Sequence, residues 1–116
     1  MPIKTKRIYE PYSNDDGYRI LIDRLWPRGI KKEDSHIDKW LKEIAPSTEL
    51  RKEFNHMVDK WEQFKVAYHT ELNNSPAVKE LLADIKKHRT VTLLFAARDE
   101  EHNHTLVLQQ FIKEVS

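Results

Sequence analysis

Two segments of the chain concentrate side chains able to bind or transform an anion: Asp23-Arg24-Leu25-Trp26-Pro27-Arg28-Gly29 and Ala97-Arg98-Asp99-Glu100-Glu101-His102-Asn103-His104. A guanidinium fork grips phosphate or carboxylate through two parallel N–H bonds, so Arg24, Arg28 and Arg98 are candidate ligand-binding residues. Asn103 stands where a helix would begin, and the amides of a helix start add fixed positive potential to such a site. Asp23 can orient an arginine, while His104 can donate to an anion or shuttle a proton; this pair is the candidate catalytic set. Trp26, between the first two arginines, can stack on a bound ligand, although aromatic side chains more often serve interior or lid packing. Structural ion pairs, Asp23 with Arg24 or Arg98 with Asp99, would produce the same composition and stand as the competing account.

The run from Asp99 to His104 also contains metal-ligand types. Residues two apart converge only on an extended segment, so His102 and His104 diverge once Asn103 starts a helix. A solvated acidic loop is therefore the better reading, and no metal is expected. His56 and Asp59 form only a weak HxxD pattern, and Ser47 and Thr105 read as helix-terminus residues rather than nucleophiles. Zero cysteines remove thiolate nucleophiles, Cys-ligated zinc, Fe–S clusters and disulfides. Two glycines cannot build a Gly-rich phosphate cradle, and GxGxxG, Walker, GxSxG and HExxH patterns are all missing, so no cofactor is expected.

The elements that must position these loops follow from periodicity. Residues 3–9 mix β-branched and basic residues as a strand would, 10–17 carry turn chemistry, and the apolar run 18–23 reads as a buried strand stopped by Pro27 and Gly29. A first helix is expected after Asp34 or Ser35, because Ile37, Trp40, Leu41 and Ile44 share one face, with Pro46 ending it. Ser47 caps a second with Leu50, Phe54 and Met57 inward. A third runs from about residue 59 with Trp61, Phe64, Tyr68 and Leu72 inward, and Ser75-Pro76 opens a fourth with Val78, Leu81, Leu82 and Ile85. Residues 91–97 are apolar on both faces, as in a strand sandwiched between helix layers. Asn103 then caps a last helix bearing Val107, Leu108, Phe111, Ile112 and Val115. Strands separated by helices define an α/β fold: a compact layered domain with a small, largely parallel sheet flanked by about five helices, residues 1–116 forming a single domain. Ligands of such sheets collect beyond the carboxyl ends of the strands, which is where both chemistry-bearing loops fall.

With 116 residues the chain is long enough to bury a core without staples. Twenty basic and nineteen acidic residues leave a net +1, which argues against a protein that coats nucleic acid by bulk charge. The sum hides an asymmetry: residues 1–32 hold eight Lys/Arg against four Asp/Glu, and the remainder twelve against fifteen, so +4 and −3 make the total. The N-terminus lacks the apolar core of a signal peptide and the longest uninterrupted apolar run is Leu93 to Ala97, so a cytoplasmic protein without a membrane span is expected.

The segments GYRILIDRLWPRG and VTLLFAARDEEHNH, with KWLKEIAPS and the stretch from Phe54-Asn55-His56 to Lys60-Trp61, resemble the YeaO-like bacterial proteins of the domain of unknown function 488 family. The resemblance covers nearly the whole chain and implies a compact α/β domain of bacterial cytoplasm, without an established activity. Longer members of the wider family resemble this chain at the two loops, with an Asp-x-Arg or Asp-Arg and then Pro-Arg after the strand that corresponds to 20–23, and a Cys-His-Arg at the start of the last helix. Asp23, Arg24, Pro27, Arg28 and His104 match that pattern, whereas Asn103 and Thr105 stand where those members have Cys and Arg. A thiol-dependent step in the wider family would be closed to this chain. The leading expectation is a small anion-binding α/β domain with a phosphate or carboxylate ligand, whose stronger form is an enzyme acting on a small metabolite. The alternatives are a nucleic-acid module using Lys4, Lys6, Arg7, Lys31 and Lys32 with Tyr9 and Trp26 as stacking platforms, and a non-catalytic partner-binding protein using Trp40 and Trp61. Balanced charge and the lack of an RRM, HTH or OB-like signature weigh against the first of these.

Overall fold

The computed structural model describes residues 3–54, 57–99 and 102–115. Four strands, β1 (Ile3–Arg7), β2 (Tyr18–Leu21), β3 (Lys39–Trp40) and β4 (Val91–Phe95), form one sheet in the order β1-β4-β2-β3, and every pair is parallel. Among the described residues four helices accompany it: α1 (Thr48–Phe54), α2 (Trp61–Asn73), α3 (Ala77–Lys87) and α4 (His104–Val115). The expected α/β class with a parallel sheet holds. No described helix is long and apolar enough to cross a membrane.

Alternation along the strands divides the interior in two. Ile20, Ile22, Val91 and Leu93 join the principal core, to which α1 gives Leu50 and Phe54, α2 Phe64, Tyr68 and Leu72, α3 Leu81 and Ile85, and α4 Leu108 and Ile112. Leu21 and Leu94, one position on, point to the other face and meet Ile8, Trp26, Ile30 and Ile37. The buried strand β4 is therefore covered by helices on one face and by loop residues on the other, not by two helix layers. That second face also carries charge. Arg19, 2% exposed, pairs with Asp16 and donates to the carbonyls of Ser35 and His36. Lys6 reaches the same carboxylate at 3.1 Å, and Thr92 donates its hydroxyl to the Asp16 carbonyl. Gly17 follows at φ +67°, where a Cβ would stand 2.3 Å from the Thr90 carbonyl oxygen, so glycine is required at this entry to β2.

The helix expected over 37–44 does not form. Lys39 and Trp40 instead pair with Ile20 and Leu21 as the edge strand β3, flanked by 3-10 turns at Lys32–Asp34 and Lys42–Ile44. The Arg19 amide donates to the Asp38 carboxylate, the Asp38 amide to the Arg19 carbonyl, and the Leu41 amide to the Leu21 carbonyl. Satisfying the open edge of β2 outweighs an apolar period of 3.6 in so short a stretch. The other expected helices form with their caps largely as read, Ser47 Oγ accepting from the Leu50 amide and Asn103 Oδ1 from the Thr105 amide at the start of α4, but Met57, expected inward beside Leu50 and Phe54, is 46% exposed. The His56 side of the weak HxxD pattern lies outside the described residues, as do Glu100 and Glu101 of the acidic loop.

Candidate functional site

β4 is flanked by β1 and β2, and β2 and β4 both end where the chemistry-bearing loops begin. Between those loops lies a cavity of about 400 Å³. The loop after β2 gives it Asp23, Arg24, Leu25, Trp26, Pro27 and Arg28; the segment after β4 gives Ala96, Ala97, His102, Asn103 and His104. Tyr9, Arg51 and the rings of Phe54 and Phe64 complete the wall, with Ala45 and Pro46 beside Arg24.

The sequence reading brings Asp23, Arg24, Trp26, Arg28, Asn103 and His104 to one place, and the structure puts all six on this cavity. Arg98 is different: it is exposed and does not line the cavity, so the three-arginine convergence of Arg24, Arg28 and Arg98 does not occur. Its place is taken by Arg51, an exposed residue of α1 for which neither motif nor spacing gave a signal.

Each polar side chain has a distinct condition. Arg24 donates Nε to the Pro46 carbonyl at 3.1 Å and Nη2 to the Ala45 carbonyl at 3.0 Å, which ties its loop to the turn before α1. Three of its five N–H groups remain. Among the described residues, the guanidinium groups of Arg28 and Arg51 have no hydrogen-bond or ion-pair partner. Asp23 is committed to the scaffold: Oδ2 accepts from the Ala96 amide at 2.8 Å, Oδ1 lies 3.3 Å from His104 Nε2, and its carbonyl accepts from Trp40 Nε1. His104 Nε2 also lies 3.0 Å from the Ile22 carbonyl. Both neighbours are acceptors, so Nε2 carries a proton and Nδ1 is the nitrogen left for other use. His102 is anchored through Nδ1 to Asp99 at 3.0 Å and edge-on to Trp61. Asn103 is buried and spends both ends of its amide, Oδ1 on Thr105 N and Nδ2 on the Asp99 carbonyl. Neither expected ion pair accounts for the arginines: Arg24 takes carbonyls rather than Asp23, and Asp99 takes His102.

The aromatic walls are fixed and internally satisfied. Trp26 Nε1 donates to the Ile30 carbonyl at 2.7 Å and the ring packs edge-on against Trp40; the Tyr9 hydroxyl donates to the Arg28 carbonyl at 2.8 Å. Tyr68, beneath His104, is fully buried with its hydroxyl on the Ile44 carbonyl, and burial pushes its pKa well above the usual range. Among the described residues, no three His, Asp or Glu side chains gather as a metal ion would need.

The chain is 48% identical over 115 residues to the uncharacterized protein YeaO of Escherichia coli, covering 99% of this chain and 100% of that one. It is 37% identical over 110 residues to uncharacterized proteins of Mycobacterium bovis and Mycobacterium tuberculosis, covering 95% of this chain and 92% of each of theirs. No solved structure matches. Residues 2–116 match the family described as the inactive DUF488-N3 subclade, and the chain belongs to that family.

Proposed function

We propose that the cavity is a binding site for a small anion, phosphate or carboxylate, held without being turned over. The observation that carries this reading is the pair of guanidinium groups, Arg28 and Arg51, lining an open cavity beside the half-engaged Arg24 and with no partners among the described residues. Charged groups left unpaired on a concave, partly apolar surface are the usual makings of anion recognition. Binding without catalysis is favoured by what the polar groups already do. Asp23 and His104 brace the ends of β2 and β4 against the start of α4, Asn103 stands where the resemblance to longer members implies a cysteine, and the subclade is described as inactive.

The nucleic-acid alternative loses support from the same accounting. Lys4 donates to the Asp15 carbonyl, Lys6 pairs with Asp16, and Arg7 donates to the carbonyls of Ala96 and Ala97, so three of its five cations serve the fold. Titration of isotopically labelled protein with phosphate, followed by amide NMR, tests the binding reading. Saturable shifts are expected at Arg24–Gly29, Arg51 and His102–Thr105. Shifts confined to other surfaces, or none for either phosphate or acetate, would refute it.

A further inference from the structure

We infer that the ligand of this cavity is an aryl phosphomonoester, a flat aromatic body carrying a dianionic head; this rests on the anion-site reading above and narrows it. The first argument is size. A cavity of about 400 Å³ is room for roughly a dozen waters at about 30 Å³ each, far more than an inorganic anion fills. The rest of the ligand must therefore occupy what the guanidinium groups do not.

The second argument is the chemistry of the remaining wall. Its aromatic members are Tyr9, Trp26, Phe54 and Phe64, with Leu25 and Pro27 beside Trp26. The polar atoms of Tyr9 and Trp26 are already spent on backbone carbonyls, as are both ends of the Asn103 amide on local groups. Asp23, the one carboxylate in the lining among the described residues, is held by the Ala96 amide and His104. A sugar body would bring several hydroxyls to a wall whose free polar atoms are confined to the guanidinium groups and to one nitrogen each of His102 and His104, and each hydroxyl left unmatched costs affinity. A flat ring needs no partner and gains from aromatic faces held at fixed angles and from guanidinium planes.

The third argument is charge. Among the described residues of the lining, Arg24, Arg28 and Arg51 supply three cations against the single, already compensated Asp23. His102 adds a ring whose Nε2 has no partner among the described residues. A phosphomonoester, at about −1.5 to −2 near neutral pH, matches this surplus better than a monoanionic carboxylate.

Calorimetric titration of the intact chain with phenyl phosphate, inorganic phosphate, ribose 5-phosphate and benzoate tests the assignment. Phenyl phosphate is expected to bind at least about tenfold more tightly than each of the other three, about 1.4 kcal/mol. Leu25 is 63% exposed, so Leu25→Ser spares the fold; it is expected to lower phenyl phosphate affinity at least about threefold while leaving inorganic phosphate unchanged. A smaller preference over inorganic phosphate or ribose 5-phosphate overturns the aryl body and leaves the anion site standing. Benzoate binding as tightly as phenyl phosphate overturns the dianionic head. No binding by any of the four overturns both this inference and the reading beneath it.

Discussion

Arg24 and Arg28 lie four residues apart on one loop and face one cavity, yet they do different work. Arg24 spends two N–H groups on the carbonyls of Ala45 and Pro46, whereas Arg28 is exposed and its guanidinium has no partner among the described residues. Arg24→Ala should therefore destabilise the protein by about 1–3 kcal/mol, since charged donors to otherwise unsatisfied carbonyls contribute on that scale. Arg28→Ala should change stability by less than about 0.5 kcal/mol, as surface substitutions do. Urea unfolding of the two variants checks this difference, and equal losses would show that the two arginines share one role. The residue types were legible in the sequence because Asp23, Arg24, Trp26, Arg28, Asn103 and His104 sit in two loops that follow buried strands. What escaped is set by packing. Arg98 turns outward, and Arg51 enters from α1, whose preceding turn Arg24 holds through the carbonyls of Ala45 and Pro46, a contact that no local pattern announces.

At the level of elements, the parallel strands and the capped helices were legible, and the segment over 37–44 was not. Its apolar spacing is helical, but β2 would be left with an open edge, and Arg19 and Asp38 bind each other's backbone to close it. Arg19 in turn depends on Asp16, which joins β1, β2 and the loop before β3 on the loop-covered face. Burial alone would push the Asp16 carboxyl up, but the Ser13 amide and the Lys6 and Arg19 cations outweigh it and hold the pKa below its ordinary 3.8. A depressed folded-state pKa contributes stability that is complete above the unfolded value and is lost as pH falls through the folded one. Stability should thus decline below about pH 4, and Asp16→Asn should flatten that decline. At pH 7 the same variant should be less stable by roughly 3 kcal/mol, because it leaves Arg19 buried without its counter-charge. Denaturation midpoints of both proteins across the acid range measure this; parallel curves would assign the acid sensitivity to other carboxylates.

For the whole molecule, the excess of positive charge in the first quarter proves to be largely internal. Of its eight cations, Lys4, Lys6, Arg7, Arg19 and Arg24 are engaged with carbonyls or Asp16, so the +4 of residues 1–32 holds the sheet and its loops together more than it faces a partner. Arg28 is one of those not spent in this way, and with Arg51 it lines the cavity at the carboxyl end of the sheet. The central claim is that these two groups bind an anion. It is tested most directly by the thermal midpoint of the wild type and of the Arg28→Ala, Arg51→Ala double variant with increasing phenyl phosphate. A ligand at about 100 times its Kd stabilises by about 2.7 kcal/mol, a rise of roughly 10 °C for a chain of this size. The wild type should show that rise and the double variant, unchanged without ligand, should show almost none; equal rises in both proteins, or no rise in the wild type, would contradict the account.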